Sequence, residues 1–519
     1  MEDKSRTAVA RATGLLMVST ILSRVLGYTR DIIIATMYGQ TRITDSYLAA
    51  FSIPDFLYNL LVAGTVTAAF IPVFSRYIST DRHKEGWEVA SSIYNIVIGV
   101  MVIGLAIAGA LAPYIVSALV PGFEPVYKAL TVGMTRVMLV QAFFMALNGI
   151  SAGVLQSYQR FLEPAVGSVL YNAMIIIFGA SLGGKIGIRA FAYGVVAGAA
   201  AQFAALAYGM WRVGFKWKPV LLWKHPGVRR VFLLMIPVFL SYALTQIGLF
   251  VQQNIASSLT GAVTAMRNAQ RLMMMPVSIF AITMVVAIFP TLNAQIARGE
   301  MDAFKESFAF GLSSIFYITM PSAVGLAVLG KPIIRTLFQQ GSFTAENTAM
   351  TAYILSFFCV GLFAQGGVHL MNRVFYATQN TWLPVIVGAC GIAANIALNY
   401  ILIKPLGAGG LSLAYSAAGI LNLSVLIYMA RRKIGLASGK KMLASFCKIL
   451  GMSAVMGLAA HLIARVMEYH VVNISSKTGQ ILQVGCAIGG GMAVYLALSL
   501  ILKMEEIEMV KQAIRRKRS

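Results

Sequence analysis

Two arginines and an aspartate fall inside the first long apolar stretch of this 519-residue chain, in the segment Ser23-Arg24-Val25-Leu26-Gly27-Tyr28-Thr29-Arg30-Asp31. A charged side chain at the centre of a bilayer costs about 2.5–3.5 kcal/mol on insertion scales. Chains keep such groups where they face a water-filled cavity or a charged ligand. Guanidinium stays charged at any physiological pH and grips phosphate oxygens in a bidentate fork. The chemistry expected of this segment is therefore recognition of a phosphate-bearing anion.

Other polar groups inside apolar runs are few and unevenly spread. The second run holds Asp55, with Tyr58 and Asn59 just beyond. The fourth holds Arg136, the eighth Arg271 with Arg267 a turn earlier, and the tenth His369, Asn372 and Arg373. Asp31 and Asp55 are the candidates for coupling to an ion or a proton. Arg24 and Arg30 lie about 9 Å apart along a helix axis and roughly 120° apart around it, so they do not share a face. Arg24 and Asp31 share one but sit about 10 Å apart, so local carboxylates are not expected to neutralise the arginines. Arg136 and Arg373, nearer the ends of their runs, are expected to snorkel.

The elements that must carry these groups are transmembrane helices. The chain is 58% hydrophobic and 12% charged, with a mean hydropathy of +0.76, outside the range of soluble domains. About fourteen apolar runs recur, from 9–37 to 481–503, each long enough to cross a hydrocarbon core roughly 30 Å thick. The first is too long for a cleavable signal peptide and no small-residue cleavage site follows it. The formal net charge of +24 is not a nucleic-acid signal, because Lys and Arg cluster in alternate loops. By the positive-inside rule both termini are cytoplasmic, which requires an even number of spans. Contact with anionic headgroups is a secondary expectation.

Cys359, Cys390, Cys447 and Cys486 all fall inside apolar runs without CxxC spacing, and are expected to pack between helices. No phosphate-binding GxxxxGK[ST] loop and no HExxH motif occurs, so neither an ATPase nor a zinc hydrolase is expected. The reading is of a non-enzymatic chain with no cofactor and no metal.

The sequence repeats itself at an offset of about 220 residues. Gln159 and Pro164 recur as Gln379 and Pro384, and Pro72 recurs as Pro290 at the corresponding end of a run. Six spans per copy give both copies the same orientation. The expected architecture is an all-α polytopic membrane protein: two six-helix lobes in pseudo-two-fold repeat, plus two extra C-terminal helices. The expected boundaries are 1–211 for the first lobe, 212–230 for a connector, 231–431 for the second lobe, and 432–519 for the last two helices with a basic tail. The connector holds Trp211, Trp217 and Trp223 among lysines and reads as an amphipathic segment at the cytoplasmic interface.

Several motifs taken together resemble the MurJ/MviN family of lipid II flippases within the MOP exporter superfamily. They are Ser23–Asp31, Thr44-Asp45-Ser46, Ile53-Pro54-Asp55, Ala69-Phe70-Ile71-Pro72, Gln270-Arg271-Leu272 with Pro276, Phe338-Gln339-Gln340-Gly341-Ser342-Phe343-Thr344, and Phe375-Tyr376-Ala377-Thr378-Gln379-Asn380. The resemblance implies fourteen helices, a central cavity, alternating access, and a groove beside the last two helices for a polyprenyl tail. It implies that Arg24, Arg30 and Arg271 contact the diphosphate of an undecaprenyl-pyrophosphate-linked glycopeptide, and that Asp31 and Asp45 match family acids. Tyr58 and Asn59 stand where many members have a basic pair, and Ala63 stands where an acid precedes the glycine. Met273–Met275 lack a family acid, and Asn380 stands where aspartate is common.

The function expected is transfer of lipid II from the cytoplasmic to the outer leaflet of the bacterial cytoplasmic membrane, for cell-wall synthesis. Its site residues would be Arg24, Arg30 and Arg271, with Asp31, Asp45, Asp55, Tyr58, Asn59, His369, Arg373 and Asn380 as cavity or coupling groups. Coupling to the membrane potential or to a monovalent cation, membrane lipids as partners and a monomeric state complete the expectation. The alternatives are a flippase for another polyprenyl-linked glycan, a multidrug antiporter, or a non-transporting scaffold for cell-wall machinery.

Overall fold

The computed structural model describes residues 2–59, 69–435, 439–504 and 506–507. Among the described residues every regular element is a helix. They run in the order α1 Glu2–Tyr38, α2 Arg42–Ala50, α3 Ser52–Tyr58, α4 Ile71–Ser79, α5 His83–Leu119, α6 Pro125–Ser157, α7 Leu162–Ile186, α8 Arg189–Arg212, α9 Pro226–Ala256, α10 Ala262–Pro276, α11 Ile282–Ala297, α12 Met301–Phe338, α13 Ala345–Val360, α14 Leu362–Ala377, α15 Trp382–Leu406, α16 Ala408–Ile434, α17 Gly439–Val466 and α18 Lys477–Ile501. Among the described residues ten helices are long and apolar enough to span a membrane, or eleven when the pair α13–α14, bent by 42°, counts as one. That is short of the fourteen expected. The difference lies at runs one, two and seven. Runs one and seven are the helices α1 and α9, and run two is α2 to α4 with residues 60–68, including Ala63 and Gly64, outside the described residues.

The chain divides into two compact units, Met1–Val263 and Thr264–Ser519. In the first, α7 and α8 form a close pair, α6 packs on α8 and α5, and α1 packs along α7. Aromatic and aliphatic side chains such as Phe70, Phe74, Ile93, Met101 and Ile150 fill the space between α4, α5 and α6. In the second, α12 is the central strut, touching α11, α13, α14, α17 and α18.

The backbone carries the internal repeat more clearly than the side chains do. Residues with positive φ pair at offsets of 218 to 222 in the two halves: Gly39 with Gly261, Asp81 with Gly299, Gln159 with Gln379, Gly187 with Gly407, and Gly214 with Gly435. Gly187 and Gly407 have φ 64° and 55° with ψ −151° and −136°, a region open essentially to glycine alone. Gln159 and Gln379, at φ 57° and 58°, end α6 and α14 with the same pair of hydrogen bonds. Gln159 N donates to Gln156 O and Arg160 N to Leu155 O, and Gln379 N donates to Tyr376 O and Asn380 N to Phe375 O. This is the Schellman closure, which satisfies terminal carbonyls and usually employs glycine.

Prolines inside spans leave a carbonyl four residues earlier without its N–H. Two such carbonyls are capped from a neighbouring helix. Pro113 interrupts α5, and Arg136 Nε of α6 donates to Gly109 O at 3.0 Å. Pro321 interrupts α12, and the Tyr495 hydroxyl of α18 donates to Tyr317 O at 2.8 Å. Arg136 is therefore bonded to the neighbouring backbone, where the sequence suggested snorkelling. The last two helices are fastened to α12 near both its ends. Arg335 donates to Glu468 at 3.3 Å and to Gln483 at 2.6 Å, while Tyr317 donates to Ser499 at 2.8 Å and Ser313 to Glu506. Of the cysteines only Cys359 is buried; Cys390, Cys447 and Cys486 are exposed, so the packing role expected of all four holds for one.

A left-handed conformation costs a non-glycine residue about 1–2 kcal/mol, so Gln159→Gly and Gln379→Gly are each expected to stabilise the chain by about 1 kcal/mol. Thermal unfolding of the purified protein checks this, and an unchanged or lower midpoint for both would contradict it.

Candidate functional site

The charged segment of α1 is built as two ridges one residue apart. Ser23, Gly27 and Arg30 recur at helical spacing and meet α7; Arg24, Tyr28 and Asp31 form the adjacent ridge. On α7 the partners are Ser168 and Asn172, four residues apart and so on one face. Asn172 Oδ1 accepts from the Arg30 guanidinium at 3.2 Å, and its Nδ2 donates to Ser23 Oγ at 3.3 Å and to Ser168 O at 3.2 Å. Ser23 Oγ in turn donates to Ser168 O at 3.3 Å.

Arg30 also forms a salt bridge with its sequence neighbour, Nε and a terminal nitrogen both reaching Asp31 Oδ1, at 3.0 and 2.9 Å. Its side chain is 14% exposed. This differs from the expectation that no local carboxylate neutralises the arginines. Adjacent residues on a helix do not face each other, but the long arginine stem folds back across the turn because Asn172 holds its other nitrogen. Arg24 stands on the second ridge and is exposed. The helix is continuous through Gly27, so the segment is a straight strip of charge. The two arginines thus have different surroundings, as their six-residue spacing requires: Arg30 is half-buried against Asn172 and Asp31, and Arg24 is exposed.

Asp45 occupies the first turn of α2 and is fully buried. Its Oδ2 accepts from Gly261 N at 2.7 Å. Gly261 has φ +75°, and a Cβ there would come within 2.9 Å of Gln40 O, so no other residue fits without a shift. The same corner is tied further. Arg42 donates to Ser257 O at 2.6 Å with its guanidinium 5.2 Å from the Phe123 ring centre. Gly122 N donates to Ser257 Oγ at 3.1 Å, and Ser52 Oγ donates to Gln253 Oε1 at 2.7 Å. The loop between α9 and α10 is therefore latched by α2, α3 and the α5–α6 turn. Sequence reading singled out Asp45 but missed Arg42, Ser257 and Gly261; the recurrence of a glycine at 39 and 261 was the available signal.

The remaining candidates are dispersed. Asp55, Tyr58 and Asn59 sit half-buried at the end of α3. In the second unit Arg271 is half-buried on α10 and His369 half-buried on α14. Arg373, a turn beyond His369, lies with its guanidinium 5.0 Å from the Phe289 ring centre, a cation–π contact where snorkelling was expected. Asn380 Oδ1 accepts from Leu383 N at 3.3 Å, so its carboxamide closes the first turn of α15. Among the described residues no group of three or more His, Cys, Asp or Glu could hold a metal ion. Outside the spans, burial pushes the Tyr158 hydroxyl up to about 12, keeping it neutral beside His83 Nδ1 at 3.1 Å.

Removing the Asp45 carboxylate leaves the buried Gly261 N–H unsatisfied, so Asp45→Ala is expected to cost about 1–3 kcal/mol. Gly261→Ala should cost a similar amount through the strained φ and the approach to Gln40. Thermal midpoints of both variants check this, and two wild-type values would contradict the latch.

Known proteins agree with this architecture. Residues 34–479 match the family model described as lipid II flippase MurJ. A lipid II flippase MurJ from Burkholderia cenocepacia is 29% identical over 433 residues, covering 81% of this chain and 84% of its own. A probable lipid II flippase MurJ from Rhizobium tropici is 27% identical over 511 residues, covering 96% and 95%. A solved lipid II flippase MurJ in an inward closed conformation superposes with a TM-score of 0.80 at 25% identity, over 95% of this chain and 99% of that one. An inward-facing multidrug resistance MATE transporter of the MOP superfamily shares the fold, with a TM-score of 0.67 at 17% identity over 82% and 98%. A polytopic helical chain with a charged first helix, repeated at an offset of about 220 residues and matched across residues 34–479, belongs to the lipid II flippase MurJ family.

Proposed function

We infer that this multi-pass membrane protein translocates lipid II from the cytoplasmic to the outer leaflet by alternating access, supplying peptidoglycan precursor for the cell wall. The observation that carries the reading is the charged strip of α1, in a chain whose family is that of the lipid II flippases. A guanidinium fork is suited to a diphosphate, and an apolar exterior is suited to a polyprenyl tail that stays in lipid. Arg24 on α1 and Arg271 on α10 are the proposed diphosphate contacts. Arg30 joins them when a phosphate oxygen competes with Asp31 for its fork. Asp31, Asp45, Asp55, Tyr58, Asn59, His369, Arg373 and Asn380 are proposed as cavity or coupling groups, with Asp45 also serving as a latch on the α9–α10 loop.

The proposal extends to boundaries at 1–211, 212–230, 231–431 and 432–519, to cytoplasmic termini, to a monomer, and to action without a cofactor. The membrane potential is a sufficient candidate for the driving force, since one charge crossing it is worth about 2.3 kcal/mol per 100 mV. With a negative interior, an outward-moving diphosphate runs downhill.

The test is rescue of a bacterium depleted of its own lipid II flippase, with outer-leaflet lipid II read by an accessibility assay. The wild-type chain is expected to restore exposure, and Arg24→Ala and Arg271→Ala to lower it about tenfold or more, the loss of a charge-assisted bond of about 1.5–3 kcal/mol. Arg30→Ala should lower it less. Normal exposure in Arg24→Ala and Arg271→Ala at normal expression would sink the arginine assignment, and failure of the wild-type chain would point to another lipid-linked glycan.

A further inference from the structure

Residues 213–225, between α8 and α9, form no regular helix. They run as an irregular strap along the polar face of α5. Ser91 Oγ accepts from Lys218 N at 3.2 Å and Ser92 Oγ from Leu222 N at 2.9 Å. Asn95 Nδ2 donates to Lys218 O at 2.8 Å and Val220 O at 2.9 Å, and its Oδ1 accepts from Trp217 Nε1 at 2.9 Å. The polar backbone of the strap is thus turned inward onto the helix. Two acids of α5 are consumed in the same contact, Glu88 by Lys218 at 2.9 Å and Glu85 by His225 at 3.2 Å.

What remains outward is an aromatic and cationic face. Trp217 is 56% and Trp223 60% exposed. Lys216, Lys224, Arg229 and Arg230 are exposed beside them and make no salt bridge with any described residue. Indole rings settle at the headgroup level, and clustered lysine and arginine next to a span are attracted to anionic lipid.

We propose that the outer face of this strap is a fixed binding surface for anionic phospholipid headgroups of the leaflet it borders, with Lys216, Lys224, Arg229 and Arg230 holding the phosphates and Trp217 and Trp223 seated among the glycerol and upper acyl groups. Complementary charge selects the occupant. The α5 hydrogen bonds make the surface rigid, so the headgroups are held at set positions beside the first residues of α9. The proposal goes beyond the transport reading and does not depend on it.

The test reads tryptophan emission of the full chain in nanodiscs of phosphatidylcholine, carrying a minor fraction of brominated phosphatidylglycerol or the same fraction of brominated phosphatidylcholine. The anionic quencher is expected to quench more strongly. The excess should vanish in Trp217→Phe/Trp223→Phe and in Lys216→Gln/Lys224→Gln/Arg229→Gln/Arg230→Gln. It should survive in Lys216→Arg/Lys224→Arg, which keeps the charge and controls for folding. Each removed charge is expected to weaken phosphatidylglycerol binding about fivefold, the equivalent of about 1 kcal/mol near an anionic surface. Equal quenching by the two lipids in the wild type overturns the proposal. An excess that survives neutralisation of the four cations, or that survives removal of the two tryptophans and so arises at Trp87, Trp211 or Trp382, overturns it as well. Because the readout is lipid proximity, its failure is distinct from a failure to transport lipid II.

Discussion

A peptide group that enters the hydrocarbon layer finds no water, and every N–H and C=O there must be satisfied from within the protein. This constraint organises the chain. It requires helices, and it sets what happens wherever a helix is interrupted. Pro113 and Pro321 each remove a donor, and each orphaned carbonyl is met by a long polar side chain from the next helix, Arg136 or Tyr495. A residue that looks like a stray membrane charge is in this light part of the backbone hydrogen-bonding of its neighbour. The ends of α6 and α14 obey the same rule through left-handed glutamines, which accept a conformational cost so that the last carbonyls are closed.

The charged strip of α1 follows from the same economy of polar groups. Arg30 is held by Asp31 and Asn172, so its charge is matched and its guanidinium is kept oriented. Arg24 stands exposed on the neighbouring ridge, six residues and more than one helix turn away. At the α9–α10 loop the buried Asp45 makes a single charged acceptor do the work of closing a corner, with Arg42 and Ser257 beside it. Breaking that corner would leave the buried Gly261 N–H without its acceptor.

The duplication explains why the two copies of the repeat share turn chemistry while differing in surroundings. Backbone positions with positive φ recur at offsets of 218 to 222 across both halves, since a turn that only glycine or a strained residue can make tolerates little change. Side chains are freer. Asn172 braces an arginine on α1, whereas Asn380 is spent on the first turn of α15 and Arg373 lies over Phe289. The last two helices stand outside the repeat and are fastened to α12 by Arg335 with Glu468 and Gln483, and by Tyr317 with Ser499.

Hydropathy, charge bias and spacing were enough to fix the helical class and the repeat and to single out the charged segment of α1. These are properties of the chain in its solvent: an apolar run of span length must be helical in lipid, and a charge kept inside one must have a reason. The separation of Arg24 from Arg30 was legible because it depends only on helix pitch. The partners were not. That Arg30 pairs with Asp31 depends on Asn172, which is 142 residues away in the sequence. That Asp45 is a latch depends on Gly261, 216 residues away, and that Arg136 caps a carbonyl depends on Pro113 lying on the adjacent helix. The strap at 213–225 was read as amphipathic from composition, and only the serines and asparagine of α5 decided which side faces out. Periodicity along one helix determines which residues share a face, but what that face meets is set by packing between helices distant in sequence.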